Sequence, residues 1–242
     1  TGDFDGDGRQ DIVASNWGRN TRFQSQLDQP LRVYFGDFNG DGTFDLLEAC
    51  FDSAAHTLVP WRDWKTVARA LPFLAETVAG YRAYGQASVQ ELLGNRLSAA
   101  QELKATVLDS MLFLNRGDRF EARPLPIEAQ FAPAFGVSVG DFDGDGHEDI
   151  FLAQNFFDVE PETSRCDAGR GLWLRGDGKG GFTAVSGQES GVLVYGEQRG
   201  CALADYDGDG RVDLVVGQNR QETKLYRNAR ARPGLRVRLI GP

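Results

Sequence analysis

The sequence predicts a mainly β fold, a β-propeller that is partial or small, with about four blades and one α-helical insertion. Two observations predict it. A nine-residue loop rich in Asp and Gly recurs four times, and an apolar, partly β-branched run follows each copy. Short strand-rich units repeated every few tens of residues are typical of propellers and solenoids, in which neighbouring units bury each other's faces. The longest interval between loops has instead the 3.6-residue periodicity of helices.

The four loops share their ligand-type residues. Each has an oxygen-bearing side chain at positions 1, 3, 5 and 9, and glycine at positions 4 and 6. Glycine reaches the positive φ angles of a tight curl without a Cβ clash, so the side chains can converge on one point. The candidate ligands at positions 1, 3, 5, 7 and 9 are Asp3, Asp5, Asp7, Arg9 and Asp11; Asp37, Asn39, Asp41, Thr43 and Asp45; Asp141, Asp143, Asp145, His147 and Asp149; and Asp205, Asp207, Asp209, Arg211 and Asp213.

This donor set predicts calcium. Carboxylates packed so densely repel one another unless a cation lies between them, and Ca²⁺ accepts many oxygen ligands, whereas Mg²⁺ keeps its waters. We expect about four structural ions, with Arg9, Thr43, His147 and Arg211 contributing backbone carbonyls. Asn39 replaces a carboxylate, so the second site is predicted to be the weakest. The alternative is that the loops are Asp-Gly turns without metal.

Each predicted unit has three strands around its loop. One strand enters the loop, an apolar strand leaves it, and a third strand ends in a turn before an aromatic residue. The entering strands are predicted at 32–35, 136–139 and 201–204. The leaving strands are predicted at 12–13, 46–47, 150–152 and 214–216. The third strands are predicted within 112–120, 172–182 and 225–228.

The helical insertion is predicted between residues 60 and 111, in the longest interval between loops. Its last helix is predicted from Ser98 to Leu108, because Ser98 and Gln101 match a capping-box pattern. The insertion is either a cap or partner-binding surface, or a tolerated expansion of a loop. The predicted domains are 1–59 and 112–228 for the blades, 60–111 for the insertion and 229–242 for a junction to a further module.

Charge and composition exclude several classes of protein. The net charge is −9, the four loops contain 15 aspartates, and four Ca²⁺ ions would bring the balance to about −1. The chain has no basic stripe, so nucleic acid is not an expected partner, and it has no apolar run long enough for a transmembrane helix. It begins two residues before a loop, without Met or a secretory signal. We therefore expect a removed leader or, preferably, a piece of a longer polypeptide.

The cysteines and histidines indicate no further metal centre. Cys50, Cys166 and Cys201 have no C-x-x-C spacing, which argues against zinc. Cys166 and Cys201 could pair in an oxidising compartment, and Cys50 is expected to be buried in the strand after the second loop. The two histidines, His56 and His147, do not support a His-based triad or a multi-histidine metal centre.

Two further features have competing interpretations. The polar segment 157–170 is either a functional surface or a solvated loop. Two Arg-Gly-Asp triplets, at 116–118 and 175–177, invite an adhesion hypothesis. Both fall where a blade needs a tight turn, and Gly-Asp is ordinary turn chemistry, so we interpret them as turns.

The loops, the strands around them and the Gly-Asp-Gly-x-Gly-Gly-Phe turn at 176–182 resemble the FG-GAP/VCBS repeats of integrin-α-like β-propellers. That resemblance implies one Ca²⁺ in each blade, held at the loop positions named above. It covers most of the chain outside the insertion. Propellers of this type have about seven blades, so the resemblance also implies a partial or irregular ring. The tail from Leu225 to Pro242 is similar to the start of an ASPIC/UnbV module of cartilage-acidic-protein-like proteins, which implies that this module is missing here.

The leading functional hypothesis is a calcium-stabilised, non-catalytic binding or adhesion module that is extracellular, at the cell surface or periplasmic, with a protein or glycan ligand. Cytosolic calcium is too scarce to fill weak sites. One alternative is a polysaccharide-acting enzyme with a carboxylate pair in the 157–170 segment, which includes Glu160 and Glu162, or at Glu128 and Glu148. The other alternative is a structural subunit that self-assembles outside the cell.

Overall fold

The computed structural model describes residues 1–22, 29–161 and 163–234. Contacts divide the chain into two compact units, Thr1–Arg22 with Asp109–Pro242, and Phe23–Leu108. The described residues form four antiparallel sheets of three or four strands and few helices. The prediction of a mainly β fold is therefore confirmed. The second unit contains both the second Asp loop and the helices of the predicted insertion, which the predicted domain boundaries had separated.

A strand leaves every Asp loop, and a strand also enters the second, third and fourth loops, as predicted. Numbered along the chain, the strands are β1 (Ile12–Ala14), β2 (Leu31–Gly36), β3 (Asp45–Asp52), β4 (Thr57–Pro60), β5 (Gln101–Ala105), β6 (Met111–Asn115), β7 (Phe120–Pro124), β8 (Ala134–Gly140), β9 (Asp149–Gln154), β10 (Leu172–Gly176), β11 (Phe182–Val185), β12 (Glu197–Ala204), β13 (Asp213–Asn219) and β14 (Lys224–Tyr226). The helices are α1 (Trp64–Ala70), α2 (Leu74–Thr77), α3 (Tyr81–Tyr84), α4 (Val89–Leu93) and α5 (Gly187–Ser190), with 3₁₀ helices at Gly94–Ala99 and Ile127–Gln130.

In the first unit, three sheets pack face to face. Their strand orders are β1-β6-β7, β11-β10-β9-β8 and β12-β13-β14. Strand β9 is buried along its whole length, and its side chains alternate between two cores. Ile150 and Leu152 pack with residues of the first sheet, whereas Phe151 and Ala153 pack with residues of the third. The middle sheet is thus covered on both faces, which explains why β9 lacks the polar alternation of a half-exposed strand.

Strands β8 and β12 come especially close to each other within this unit. A Cβ atom on Gly136 of β8 would lie 3.1 Å from the Cα atom of Gly200 of β12. Both strands enter an Asp loop, so the entering strands of two neighbouring sheets are adjacent. Glycine at this point allows the two backbones to approach.

The second unit is one sheet, of order β4-β3-β2-β5, with helices packed on one face. Tyr34 and Leu47 of the sheet share a buried core with Leu71 and Leu93 of the helical segment. The short helices depend on their caps as well as on this packing. Asp63 accepts the Thr66 N–H to cap α1, and Ser88 and Glu91 form a reciprocal capping box at α4.

The predicted helix from Ser98 to Leu108 is wrong. The 3₁₀ helix ends at Ala99, and β5 pairs antiparallel with β2 along its whole length. The helical periodicity also does not reach residue 111, because Met111 begins β6. Glu and Leu are good helix formers, but helix propensity is a small energy that tertiary context overrides, here by pairing with an open sheet edge. Glu102 strengthens the pairing, because it accepts hydrogen bonds from Arg32 and the Tyr34 hydroxyl across the strands.

Candidate metal sites

Each Asp loop closes a hairpin in the same register. The glycines at positions 4 and 6 have φ between 74° and 93° in all four loops, a conformation that side-chain-bearing residues rarely adopt. The residue before position 1 pairs with the Asp at position 9 in every copy: Gly2 with Asp11, Gly36 with Asp45, Gly140 with Asp149, and Ala204 with Asp213. The four loops therefore have one backbone design.

The carboxylate at position 1 accepts backbone N–H groups from its own loop. Asp3 accepts the N–H of Asp7 at 3.1 Å and the N–H of Gly8 at 2.9 Å. The N–H of position 6 donates to the carboxylate of position 1 in all four copies. These bonds fix the curl and orient the carboxylate toward the centre of the loop.

Position 5 is bonded to position 7. In every loop the side chain at position 5 accepts the N–H of position 7, at 2.8 to 3.0 Å. The guanidinium groups of Arg9 and Arg211 also bind Asp7 and Asp209, at 2.7 and 2.9 Å. Bonding to Arg9 lowers the pKa of Asp7. Two of the variable side chains at position 7 thus offset part of the charge at position 5. That their carbonyls bind a metal stays a prediction.

Position 9 connects each loop to the rest of its sheet. In all four copies one oxygen of this Asp accepts the N–H of position 2, at 2.9 to 3.0 Å. In the first unit the other oxygen accepts an N–H at the end of the third strand, 2.7 to 2.8 Å away, from Asn115, Gly176 or Asn228. These three position-9 carboxylates are at most 2% exposed. This structural role was not foreseen from the sequence.

Burial affects the ionisation of Asp149 most clearly. Desolvation raises its pKa from 3.8 to about 6, although the N–H groups of Gly176 and Phe142 favour the charged form. Because the folded-state pKa lies above the unfolded value, this group stabilises the ion-free fold at low pH. That contribution is lost as the pH rises through about 6. A bound cation would favour the charged carboxylate and remove the penalty.

Three of the loops gather carboxylate oxygens that could hold a metal ion such as Ca²⁺. In each, one oxygen from positions 1, 3 and 9 lies within 4.8 Å of the other two; the groups are Asp3, Asp5 and Asp11; Asp141, Asp143 and Asp149; and Asp205, Asp207 and Asp213. Two unit charges at such a distance repel by a few kcal/mol near a protein surface. Oδ1 of Asp5 is buried and accepts no hydrogen bond from the described residues, so this oxygen is available to a cation.

The second loop differs from the other three in two ways. Position 3 is Asn39, whose amide donates to Asp41 at 3.0 Å. Asp45 at position 9 is only half-buried, and in the described part of the chain its recorded hydrogen bond comes from Phe38. The loop keeps the hairpin register and the backbone bonds of the other copies. It therefore has the conformation of a metal site but one charge fewer.

Asn39→Asp is expected to strengthen calcium binding at the second loop about tenfold or more, because it adds the missing carboxylate. Calorimetric titration with calcium compares the variant with the parent chain. The dissociation constant of the weakest site should be lower in the variant. Asp52→Asn is a suitable control, since Asp52 lies in another turn of the same unit, where it accepts the N–H groups of Ala54 and Ala55. An unchanged weakest site in Asn39→Asp would contradict the assignment.

An arginine from the third strand or its turn pairs with the position-3 carboxylate in each loop of the first unit. Nη1 of Arg116 lies 2.5 Å from Asp5, Nε of Arg175 lies 2.8 Å from Asp143, and Arg227 pairs with Asp207. The second loop has a neutral residue at this position. Sequence reasoning missed these arginines because they are far from the loops in the chain. Each arginine is the sequence neighbour of the residue whose N–H bonds the position-9 carboxylate. This placement is the signal that the local sequence offers for finding them.

The Arg-Gly-Asp triplet at 116–118 lies in a turn, as interpreted from the sequence, whereas Arg175 and Gly176 of the other triplet end β10 and only Asp177 begins the turn. Gly117 has φ 88°, and the Asp177 side chain accepts the N–H groups of Lys179 and Gly181, both at 2.8 Å. The arginine of each triplet is the one that pairs with a loop carboxylate. Both triplets therefore have a role within the fold.

The polar segment 157–170 has its cationic side chains on aromatic rings. The Arg165 guanidinium lies 4.0 Å from the Phe157 ring centroid, and that of Arg170 lies 5.3 Å from the Tyr195 centroid. Glu162, one member of the suggested carboxylate pair, lies outside the described residues. In the other suggested pair, Oε2 of Glu148 is buried without a hydrogen-bond partner among the described residues, close to Gly2.

The structure contains no disulfide between Cys166 and Cys201. All three cysteines are free thiols: Cys166 is buried, and Cys50, in β3, and Cys201 are half-buried. Burial raises the pKa of each thiol. Cys201 instead accepts a hydrogen bond from the Ser138 hydroxyl at 3.1 Å, between the adjacent strands β12 and β8. The thiols thus contribute to packing.

No protein-family model matches this chain. A comparison with curated proteins finds no match either. Within the described ranges, no helix is both long and apolar enough to cross a membrane.

Proposed function

We propose that this chain is a calcium-stabilised, non-catalytic binding module that acts outside the cytoplasm. The observation that carries the proposal is the repeated loop design. Four loops distant in sequence have the same hairpin register and the same carboxylate-to-backbone bonds, and three of them gather three carboxylates. A turn without metal gives no role to Oδ1 of Asp5, which is buried without a hydrogen-bond partner among the described residues.

The ions would act on stability and order. In the three loops of the first unit the position-9 carboxylate connects the loop to the end of the third strand, so an ion bound beside it would hold hairpin and third strand together. Binding to the folded state alone adds directly to folding stability. Four ions would also offset most of the net charge of −9. Extracellular calcium reaches the millimolar levels that such modules use, which favours an extracellular, cell-surface or periplasmic location.

The arrangement of sheets supports a propeller-type fold of the FG-GAP/VCBS kind. Three sheets stack face to face, and the entering strands β8 and β12 are adjacent, as expected for blades around an axis. We therefore propose a small or partial propeller. We propose a protein or glycan as the ligand of this module, with self-assembly as the alternative.

Calcium binding is the first test of this function. Metal-free protein titrated calorimetrically with CaCl₂ is expected to bind about three ions tightly and one weakly, and to bind Mg²⁺ less well. Asp143→Asn should remove one tight site. Asp177→Asn is the matched control, because Asp177 accepts backbone N–H groups in a turn like a loop aspartate but belongs to none of the three carboxylate groups. Absence of calcium binding in the parent chain would overturn the proposal.

A further inference from the structure

A cavity of about 430 Å³ lies in the first unit, between the middle sheet and the sheet β12-β13-β14. Its volume is in the range of small-molecule sites. Rings of Phe142, Trp173 and Tyr226 form part of its wall, and Arg175, Arg227 and Arg230 contribute cationic groups. The cavity therefore offers both apolar surface and positive charge to an occupant.

Two of these arginines are held by ligand-type carboxylates of the loops. Arg175 lies 2.8 Å from Asp143 of the third loop and 3.5 Å from Glu189. Arg227 pairs with Asp207 of the fourth loop and lies 3.1 Å from Asp209. The Arg227 side chain is 63% exposed, so solvent screens its pairs and they can exchange for another anion. Nε of Arg175 is buried and makes no well-formed hydrogen bond with the described residues despite its distance to Asp143, so it can donate to another acceptor.

Calcium would change the charge around the cavity. Its charged lining residues are Arg175, Arg227 and Arg230 against Asp143 and Glu189. An ion in the third loop would neutralise Asp143, which leaves three cationic groups against one carboxylate. An ion in the fourth loop would likewise neutralise Asp207, the partner of Arg227 at the cavity wall. A cation at a carboxylate weakens that carboxylate's attraction for a guanidinium.

We propose that this cavity binds a small ring-bearing carboxylate, and that calcium in the third and fourth loops strengthens the binding by releasing Arg175 and Arg227 from Asp143 and Asp207. The proposal rests on the calcium sites proposed above. Guanidinium groups recognise carboxylates through paired hydrogen bonds. The aromatic wall suits the ring of either a sugar acid or an aromatic acid.

Binding of three probes distinguishes the possible occupants. D-glucuronate, benzoate and D-glucose are titrated calorimetrically into the chain in millimolar calcium and in metal-free buffer. Glucuronate or benzoate is expected to bind at least about tenfold more tightly with calcium, whereas glucose, which has no carboxylate, should bind weakly in both buffers. Preference for glucuronate over benzoate identifies a sugar acid, and the reverse preference identifies an aromatic acid.

Variants test the role of the arginines. Arg175→Gln and Arg227→Gln should each reduce binding of the carboxylate about tenfold in calcium. Arg116→Gln is the matched control, because Arg116 makes the same kind of pair with Asp5 but does not line the cavity. It should bind the probe like the parent chain.

The outcomes separate this proposal from the proposed function. If calcium binds with the expected stoichiometry but neither carboxylate binds, the cavity proposal is overturned and the calcium module stands. Equal affinity for the carboxylate probe with and without calcium would overturn the coupling between calcium and the cavity. Equal losses of probe affinity in Arg116→Gln and Arg175→Gln would overturn it as well. Tight binding of glucose would overturn recognition of the carboxylate. If calcium does not bind, the proposed function fails and the coupling fails with it.

Discussion

Removal of calcium is expected to lower the melting temperature of the chain by roughly 15 to 30 °C. Each ion present at about a hundred times its dissociation constant adds about 2.7 kcal/mol to the free energy of unfolding. Three tight sites would add about 8 kcal/mol, and 1 kcal/mol shifts the melting temperature of a chain this size by about 2 to 4 °C. Differential scanning calorimetry in millimolar calcium and in excess EGTA measures the difference.

The three loops of the first unit should account for most of this loss. A chain with Asp5→Asn, Asp143→Asn and Asp207→Asn loses a carboxylate from each of the three groups. Its melting temperature should respond little to EGTA. Asp177→Asn should melt like the parent chain in both buffers, because Asp177 is a turn residue outside the groups. A parent chain that melts at the same temperature in both buffers would show that the loops are turns only.

Asp11→Ala is expected to destabilise the first unit by about 3 kcal/mol even in metal-free buffer. Asp11 is fully buried, and its two oxygens accept the N–H of Phe4 at 2.9 Å and of Asn115 at 2.7 Å. Its removal leaves two buried donors without partners, and each such donor costs about 1 to 3 kcal/mol. In calcium the loss should be larger, about 6 kcal/mol, because the first ion site is lost as well.

Asp5→Asn separates the two roles of the first loop. Asp5 belongs to the same carboxylate group, but its recorded hydrogen bond comes from the Arg116 side chain, which also pairs with Glu121, and Asn at this position keeps an oxygen that can accept from Arg116. This variant should therefore match the parent in metal-free buffer and lose stability only in calcium. Urea denaturation of both variants in both buffers gives the four free energies. Equal losses for Asp11→Ala and Asp5→Asn without metal would contradict the structural role of position 9.

The loops and their flanking strands could be predicted from the sequence because their determinants are local. Spacing, glycine and the following apolar run all lie within about a dozen residues. The pairing of β5 with β2 depends instead on an open sheet edge, which no local pattern around Ser98 reveals. The arginine pairs of the loops were also beyond prediction. Arg116 and Asp5 are 111 residues apart, so only the folded structure shows that they meet.

The pairing of β1 with β6 fixes the timing of folding during synthesis. Ile12 pairs with Phe113, so the first strand has no partner until about a hundred more residues have been made. At bacterial or eukaryotic translation rates this takes on the order of 5 to 20 seconds. The unit Phe23–Leu108 is complete within that interval, whereas the first Asp loop must wait for Asn115 to bond its buried carboxylate. The Asp loop at 37–45 can therefore reach its folded structure before the Asp loop at 3–11, although it is made later.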